Sequence, residues 1–385
     1  MNNKFNIKKL KNENIVVLRS IKNINKVTFQ KIVEENNPFL DYDFLLGLEE
    51  TNCIGTYSGW SPVYIFYIEN QEILGFLPVY LKSHSYGEYI FDWAWADFYS
   101  RNGVNFYPKL VVGVPFTPAT GKRILMKKYD DNIFNSLIEA LIMLGEQLQV
   151  SSINFLFLTE EEQNKLEKFG FMKRFTYQFH WKNNNYKNFD DFLAKFNSKK
   201  RNQLKRERKQ ANEGLEIEVL EGNLIKKEHL EIMFDLYTHT YSRKWGSPYL
   251  NLEFFYYLLD NLKENLLLVM VKKNNEYIAG TLNLKKGSHL YGRYWGAFEE
   301  QKCLHFEVCY YQAIEYCINN GFSLFEAGAQ GDHKLARGFL PNYTYSSHYI
   351  LDKSFKLAIE DFLIREKKSV DNTIKAYLEE APFEK

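Results

Sequence analysis

The chain has 385 residues, enough for two domains that each bury a core of their own. Hydrophobic residues (45%) and charged residues (25%) are as frequent as in ordinary globular proteins. The net charge of +1 excludes a strong overall field, so no DNA partner is expected and any anion-binding site must be local.

The cysteines and the apolar segments exclude further classes of protein. The four cysteines contain no C-x-x-C pair, so no metal site is predicted. Cys303 and Cys317 share the apolar face of one predicted helix, which favours core packing in a reducing cytoplasm. No segment approaches about 18 consecutive apolar residues, and the N-terminus lacks the apolar stretch of a signal peptide. We therefore predict a cytoplasmic protein with no transmembrane segment, which leaves room for peripheral membrane contact.

Strand and helix patterns alternate through the first half of the chain. Alternating or continuous apolar residues predict strands over residues 15–19, 63–68, 73–81, 110–116, 153–158 and 171–181. Helical spacing predicts helices over residues 26–35, 42–50, 131–149 and 160–168, the last of which ends at Gly170. An aromatic stretch covers residues 89–107.

The second half has a similar order. Strands are predicted over residues 215–220, 266–271, 277–284, 289–298, 323–327 and 345–351. Helices are predicted over residues 227–245, 252–262, 304–319 and about 355–366. Antiparallel strands followed by a helix between strands predict an α/β fold with a mixed sheet and helices on both faces. The polar segment 182–187 predicts a boundary between a domain of residues 1–182 and one of residues 183–385.

A long-range repeat supports two copies of one domain. Residues 70–89 and 275–294 share nine identities at a constant offset of 205, including Gly75 with Gly280 and His84 with His289. Two unrelated hairpins with similar turns would be the alternative explanation. The pattern around both segments also repeats, which favours duplication.

Several motifs connect this order of elements to known proteins. They are K-L-E-K-F-G-F at 165–171, the basic segment 198–214, residues 312–341, V-P-F-T-P-A-T-G-K-R at 114–123, R-K-W-G-S-P-Y at 243–249, L-H-F-E at 304–307 and G-A-Q-G-D-H-K at 328–334. The element order resembles the GNAT acyltransferase fold, present twice in tandem. The tandem pair and the motifs resemble the FemAB-like family, whose members attach aminoacyl groups to peptidoglycan precursors, and match most closely a branch of predicted N-acyltransferases.

The resemblance implies transfer of an acyl or aminoacyl group to an amine by direct attack. The donor would be acyl-CoA or aminoacyl-tRNA, with no tightly bound cofactor, and the acceptor a small-molecule or lipid-linked amine. One alternative is a FemAB-type, aminoacyl-tRNA-dependent peptidyltransferase acting on a cell-wall precursor. Members that use tRNA often carry a long helical hairpin in the second domain, and no extra charged heptad segment is visible here. The other alternative is a non-catalytic module that recognises peptidoglycan or another ligand.

Two segments are candidates for binding the phosphates of a donor. Residues 199–209 contain seven cations and one acid, and Lys199, Lys200, Arg201 and Lys205 are predicted phosphate ligands on a helix that could also be a solvated surface helix. The second segment is residues 117–123, T-P-A-T-G-K-R, which lies between a strand and a helix. Acetyltransferases hold the coenzyme A pyrophosphate at this location. Its predicted ligands are Thr117, Gly121, Lys122 and Arg123, with a plain turn as the alternative.

The candidate catalytic residues lie in the second half. His305 is near a predicted helix N-terminus, which favours a neutral imidazole that accepts a proton from an amine. Glu307 and Asp332 are the other candidate bases. Residues 326–337 are dense in polar groups at the end of a strand, and Glu326, Gln330, His333, Lys334 and Arg337 are predicted to bind the substrate or the donor. Arg293, with Trp295 and the aromatic residues 93–99, is expected to line a groove, although most of the aromatics are expected in the core.

Overall fold

The computed structural model of the chain describes residues 4–5, 12–243, 246–329 and 331–383. Its strands are Lys4–Phe5 (β1), Ile15–Leu18 (β2), Trp60–Pro62 (β3), Tyr64–Glu69 (β4), Glu72–Leu77 (β5), Val79–Lys82 (β6), Lys109–Val112 (β7), Leu125–Met126 (β8), Ser152–Leu158 (β9), Met172–Lys182 (β10), Glu216–Glu221 (β11), Leu266–Lys273 (β12), Glu276–Lys286 (β13), His289–Ala297 (β14), Leu324–Glu326 (β15) and Leu340–Ile350 (β16). Its α-helices are Lys26–Phe29 (α1), Tyr42–Glu50 (α2), Trp93–Arg101 (α3), Asp131–Gln147 (α4), Glu160–Leu166 (α5), Phe189–Ala194 (α6), Ser198–Ala211 (α7), Lys227–Arg243 (α8), Leu252–Leu262 (α9), Leu304–Phe306 (α10), Gln312–Asn319 (α11) and Lys353–Glu379 (α12). A π-helical turn, Glu307–Tyr311, joins α10 to α11.

The chain divides into two compact units. Within the described residues, the first unit contains the segments up to Glu34, Phe39–Tyr177 and Tyr343–Asn372. The second contains Glu35–Pro38, Gln178–Asn342 and the segment from Thr373 onward. Each unit therefore includes short segments from the other half of the sequence. The division into contiguous domains of residues 1–182 and 183–385 stays a prediction.

In the first unit, α4 covers a mixed set of strands. β2, β4, β5 and β8 pair antiparallel, and β7 pairs antiparallel with β6 but parallel with β9. The Asp130 carboxylate caps the start of α4 by accepting from the amides of Asn132 and Ile133. Leu137, Leu141 and other apolar residues at helical spacing on α4 are buried in the main core of this unit, as the sequence predicts.

The second unit repeats the connection of two parallel strands through a helix. β11, β12, β13 and β14 form an antiparallel meander, and β14 then pairs in parallel with β15. The residues of α10, the π turn and α11 connect that pair, as α4 connects β7 with β9. The parallel pairing ends at Tyr291 and Glu326, while β14 continues to Ala297. The α/β fold with a mixed sheet and two GNAT-like units is confirmed.

Several elements differ from their predicted extents. The helix predicted over residues 26–35 ends at Phe29, and an unpredicted helix, α3, lies within the aromatic stretch. The last helix is 27 residues long, well beyond its predicted extent of about 355–366. The prediction ended too early because the apolar stripe of the first turns is followed by a mostly polar segment. Residues 83–89, the second part of the first repeat copy, form irregular turns, whereas their counterparts belong largely to β14. Residues 244–245, at the end of the helix predicted over 227–245, lie outside the described residues.

Two lysines are buried opposite each other in the first unit. Lys82 on β6 is in register with Lys109 on β7, and both side chains are fully buried. The Lys109 ammonium donates to Ser85 Oγ and Glu88 Oε2, both at 2.8 Å, and to Asp92. Burial raises the pKa of Glu88 to about 7 and lowers the pKa of Lys82 to about 7. Burial also lowers the pKa of Lys109, but its two carboxylate contacts outweigh that effect and raise it overall.

We expect Lys109→Met to destabilise the protein by about 3–5 kcal/mol, because it leaves two buried carboxylates without their main cation. The measurement is a urea unfolding curve of the variant and the parent chain. Lys127→Met is the matched control, since its partner Glu72 is exposed and solvent weakens that pair. Equal and small shifts for the two variants would show that the buried cluster contributes little.

Candidate active site

His305 lies at the wall of a cleft in the second unit. Cys303, the residue just before α10, has a left-handed backbone conformation (φ 65°), and the chain enters the helix that carries His305 from this turn. The cleft has a volume of about 410 Å³. Its lining residues are Thr240, Trp295, Ala297, Glu299, Glu300, Gln301, Leu304 and His305. The His305 ring is half-buried, with the rings of Trp295 and Tyr310 each 5.3 Å away between centroids.

A second histidine lies beside His305. The ring of His333 is 5.7 Å from that of His305, and its Nε2 is 2.8 Å from Tyr310 Oη. Burial lowers the pKa of His333, and the positive charges of Arg337 and Lys334 lower it further. The imidazole is therefore neutral near pH 7 and able to accept a proton. Tyr310 belongs to the π-helical turn, a type of irregularity that is frequent at functional sites.

Glu307, predicted as a base, is fully buried and is bound by one arginine and one side-chain amide. Arg208 on α7 donates to both of its oxygens, at 2.9–3.2 Å, and Gln312 Nε2 donates to Oε1 at 2.7 Å. Arg208 also donates to Glu315 Oε2 at 2.8 Å. These contacts are those of a buried structural ion pair, and a catalytic role of Glu307 stays a prediction.

Two strongly perturbed groups lie near the end of β15, Lys334 in the segment that follows it and His180 on the neighbouring strand β10. Lys334 is 1% exposed, donates to the Gly328 carbonyl at 2.8 Å, and has a pKa that burial lowers to about 8. His180 lies with its Nε2 3.9 Å from Glu326 Oε2. Burial, followed by the charges of Lys182 and Lys334, lowers the pKa of His180 to about 3 and keeps the ring neutral. The fold brings Glu326 and Lys334 close to His180, which the sequence analysis had not singled out.

Arg337 is inserted between the predicted site and α7. Its guanidinium carbon is 3.2 Å from the centroid of the Phe306 ring. Nη1 donates to the His333 carbonyl at 2.8 Å, and Nη2 donates to Glu207 Oε2 at 3.0 Å. Asp332, five residues earlier, is exposed. Gln330 lies outside the described residues.

The cations of the basic helix α7 have different environments and partners. Lys199 and Lys200 line a second cleft of about 480 Å³, together with Asp332. Lys205 is paired with Asp190 at 3.0 Å, and Arg201 approaches the carbonyl of Ala194 at 3.4 Å. The structure therefore places Lys199 and Lys200 near Asp332, whereas Lys205 has a partner of its own.

Arg293 lies on β14, half-buried, with its guanidinium carbon 5.4 Å from the Tyr294 ring. Trp295 on the same strand lines the His305 cleft, and a groove that includes Arg293 stays a prediction. Trp95 and Tyr99 from the aromatic stretch are instead buried in a cluster with Phe355, as expected for core residues.

In the first unit, oxygen atoms of the protein accept hydrogen bonds from the backbone amides of the predicted phosphate loop. The Gly121 amide donates to the Phe157 carbonyl, and the Lys122 amide to Glu34 Oε2 at 3.0 Å. The amides of Arg123 and Ile124 donate to the buried Glu162 carboxylate at 2.7–3.1 Å. A carboxylate thus holds the position that a phosphate would take.

The side chains of this loop are also engaged internally. The Arg123 guanidinium, fully buried, donates to the carbonyls of Ala119, Gly121 and Leu156 at 2.6–3.0 Å. Thr117 Oγ1 donates to the Pro115 carbonyl. Donor binding by Thr117, Gly121, Lys122 and Arg123 stays a prediction that requires displacement of Glu162 and Glu34.

Comparison with known proteins places the chain in a family. The FemAB-like family model, described as peptidoglycan biosynthesis/recognition, matches residues 20–385. The chain belongs to the FemAB-like family. This confirms the resemblance drawn from the motifs. No curated protein matches the chain significantly.

Solved structures share the fold of this FemAB-like chain at low identity. FemX is 14% identical, with 87% of this chain and 97% of FemX covered and a TM-score of 0.53. L-PGS from Bacillus licheniformis is 12% identical, with 83% and 94% covered and a TM-score of 0.50. The C-terminal domain of a putative lysylphosphatidylglycerol synthetase from Agrobacterium fabrum is 8% identical, with 89% and 97% covered and a TM-score of 0.50. These similarities concern the fold alone.

Two classes of site find no support among the residues that the structure describes. No group of three or more His, Cys, Asp or Glu side chains there could hold a metal ion. Within the same residues, no helix combines the length and apolar character needed to cross a membrane.

Sequence reasoning missed Tyr310, His180 and Glu207. Tyr310 lies within the helix predicted over residues 304–319, and the π turn that directs it toward His333 has no sequence signal. Glu207 had one: it is the single acid among seven cations in residues 199–209. A lone acid in such a segment is a candidate for an inward ion pair.

We expect Glu162→Gln to lower the free energy of unfolding by about 1–3 kcal/mol, because backbone amides lose a charged acceptor in a buried position. Urea unfolding of the variant measures the change. Glu161→Gln is the adjacent control, since Glu161 is exposed and pairs with Lys165 on the surface of α5. If both variants match the parent chain, the loop does not depend on the Glu162 carboxylate.

Proposed function

We propose that this FemAB-like protein is an N-acyltransferase that moves an acyl or aminoacyl group from an activated donor to an amine. The observation that carries this proposal is the meeting of His305, His333 and Tyr310 beside the cleft that His305 lines. His305 lines one cleft, and Asp332, next to His333, lines the other. Two substrates bound in these clefts would approach the same pair of imidazoles.

His305 is the proposed general base. The amine nitrogen attacks the donor carbonyl carbon, and a carbon–nitrogen bond forms as the bond to the leaving sulfur or oxygen breaks. The proton of the amine passes to the imidazole and from there to the leaving group. His333 and Asp332, which are both exposed, are the alternative bases, and partial burial together with the charges of Arg337 and Lys334 lowers the pKa of His333.

The composition of the His305 cleft favours an amine acceptor. Glu299 and Glu300 contribute carboxylates to the lining, although Glu299 also pairs with Lys273 at 2.7 Å. Trp295 contributes an aromatic ring, which attracts ammonium groups through its negative face. Negative charge and an aromatic wall together raise the local concentration of a cationic amine before His305 takes its proton.

The second cleft favours the phosphates of the donor. Lys199 and Lys200 lie in its lining. Burial lowers the pKa of Lys200, and the nearby positive charge of Arg337 lowers it further. A bound phosphate would relieve this repulsion and stabilise the ammonium form. Acyl-CoA and aminoacyl-tRNA both carry such phosphates.

Aminoacyl transfer from tRNA to a cell-wall or lipid acceptor is the second candidate. It is supported by the exposed cations along α7, among them Lys199, Arg206 and Lys209. The family description concerns peptidoglycan, and the name of the Agrobacterium structure joins lysine to a phospholipid. A non-catalytic recognition module is the remaining alternative, and it predicts affinity for a ligand without turnover.

Thermal unfolding in the presence of acetyl-CoA, a long-chain acyl-CoA and aminoacyl-tRNA tests the donor. We expect one of them to raise the melting temperature, by mass action on the native state, and Lys200→Ala to abolish the shift. Lys195→Ala, an exposed lysine just before α7, is the control and should keep it. Loss of the shift in Lys122→Ala would instead move the donor to the first unit. No shift with any donor would make the recognition module the leading interpretation.

A substitution of His305 tests the chemistry. With the donor so identified and amines as acceptors, His305→Asn should lower kcat by about 10²–10⁴-fold while the donor-induced rise in melting temperature persists. His229→Asn changes a histidine at the start of α8 and should retain the rate of the parent enzyme. An unchanged rate in His305→Asn, with a loss in His333→Asn, would transfer the role of base to His333.

A further inference from the structure

We infer that Glu207 is a positioning residue for the proposed transfer reaction: it holds Arg337 so that Arg337 fixes His333 beside His305. The inference rests on the proposed function for its catalytic meaning. Its structural content stands on contacts within the second unit alone.

Glu207 is directed away from the cationic surface of α7. Its side chain is 12% exposed, and its carboxylate accepts from Tyr311 Oη at 2.6 Å and from Arg337 Nη2 at 3.0 Å. Gln203 Nε2 on the same helix donates to the other oxygen at 2.9 Å. All three bonds fix the carboxylate in one orientation, so the arginine it holds has little freedom.

Arg337 transmits this constraint to His333. Nη1 donates to the His333 carbonyl, four residues earlier on the short 3₁₀ helix Asp332–Arg337. The guanidinium also lies flat against Phe306, the residue after His305. One arginine therefore contacts both segments that carry the two histidines, and its position determines how those segments meet.

The charge of Arg337 makes this dependence strong. Its side chain is 6% exposed, and its Nε has no hydrogen-bond partner among the described residues. Glu207 is the acid with which it forms an ion pair, at 3.0 Å. A buried guanidinium without its carboxylate is strongly disfavoured, so removal of Glu207 would drive Arg337 toward water and release the His333 segment.

Glu207→Met removes the carboxylate while keeping a helix-forming side chain of similar length. NMR titration of the histidine rings in the full chain measures the result without any need for activity. Because the charge of Arg337 contributes to the low pKa of His333, we expect this pKa to rise in Glu207→Met, as it should in Arg337→Gln. The groups that also face His333 are Lys334, Asp332, the Tyr310 hydroxyl and the His305 ring, and these remain unchanged.

Two further variants separate positioning from general damage. Glu315→Met also removes a carboxylate that is paired with an arginine, but this arginine is Arg208 on α7 and not Arg337. The pKa of His333 should therefore not change in this variant. Glu207→Gln keeps an acceptor for Arg337 Nη2 and should restore most of the parent behaviour. An unchanged His333 titration in Glu207→Met, or an equal change in Glu315→Met, would overturn the relay.

The kinetic readout then tests its catalytic meaning. If the proposed function holds, Glu207→Met should lower kcat at least tenfold with little change in the KM of the amine, since His305 and its cleft remain. A rise in KM alone would overturn the positioning role. If no variant and no parent enzyme turns over while the His333 titration still responds, the proposed function fails and the structural relay stands. Should Glu207→Met melt at a much lower temperature, Arg337→Gln and Tyr311→Phe supply the same comparison with smaller changes in packing.

Discussion

The buried ion pair between Arg208 and Glu307 is the contact on which the arrangement of the second unit depends. Glu307 is fully buried within the π turn and would be an uncompensated charge if Arg208 were absent. Breaking such a pair costs about 3–5 kcal/mol, so α7 and the helix that starts at Leu304 are held in one register. Glu207, adjacent to Arg208, is thereby presented to Arg337 and Tyr311. The position of His333 relative to His305 then follows from these two ion pairs.

The same register gives the basic helix two functions. Residues on its inner side, Glu207 and Arg208, bind the segments that carry the histidines. Lys199 and Lys200, at its start, line a cleft together with Asp332. The cleft of His305, by contrast, contains two carboxylates and a tryptophan. The cleft of Lys199 and Lys200 also contains the carboxylates of Asp332 and Glu380. In the proposed reaction, its lysines would bind the phosphates of the donor, and the carboxylates of the His305 cleft would bind the amine.

The sequence predicts the fold better than it predicts the site, for a physical reason. Apolar periodicity reports burial, so α4 with Leu137 and Leu141 and the meander from β11 to β14 could be derived from local spacing. Trp93–Arg101 was missed as a helix because its aromatic residues at positions 93, 95, 98 and 99 combine alternating with helical spacing. The partners of polar residues depend on tertiary contacts that no local pattern encodes. His305 was recognisable as a histidine near a helix start, but the contact of His333 with Tyr310 needs a π turn and a distant loop.

The loop at residues 117–123 shows how a correct motif can carry a different chemistry. The sequence resembles a pyrophosphate loop, but the amides of Arg123 and of Ile124, which follows the loop, donate to the carboxylate of Glu162, the third residue of α5. Glu162 is held there by the capping box with Thr159. The same carboxylate therefore caps the start of α5 and accepts the amides of Arg123 and Ile124. Displacing it would leave the start of α5 and the backbone amides of Arg123 and Ile124 without their acceptor. The first unit therefore gains stability from the feature that would otherwise bind a donor. This argues that the proposed chemistry belongs to the second unit, where the corresponding connection between the parallel strands β14 and β15 carries His305 beside an open cleft.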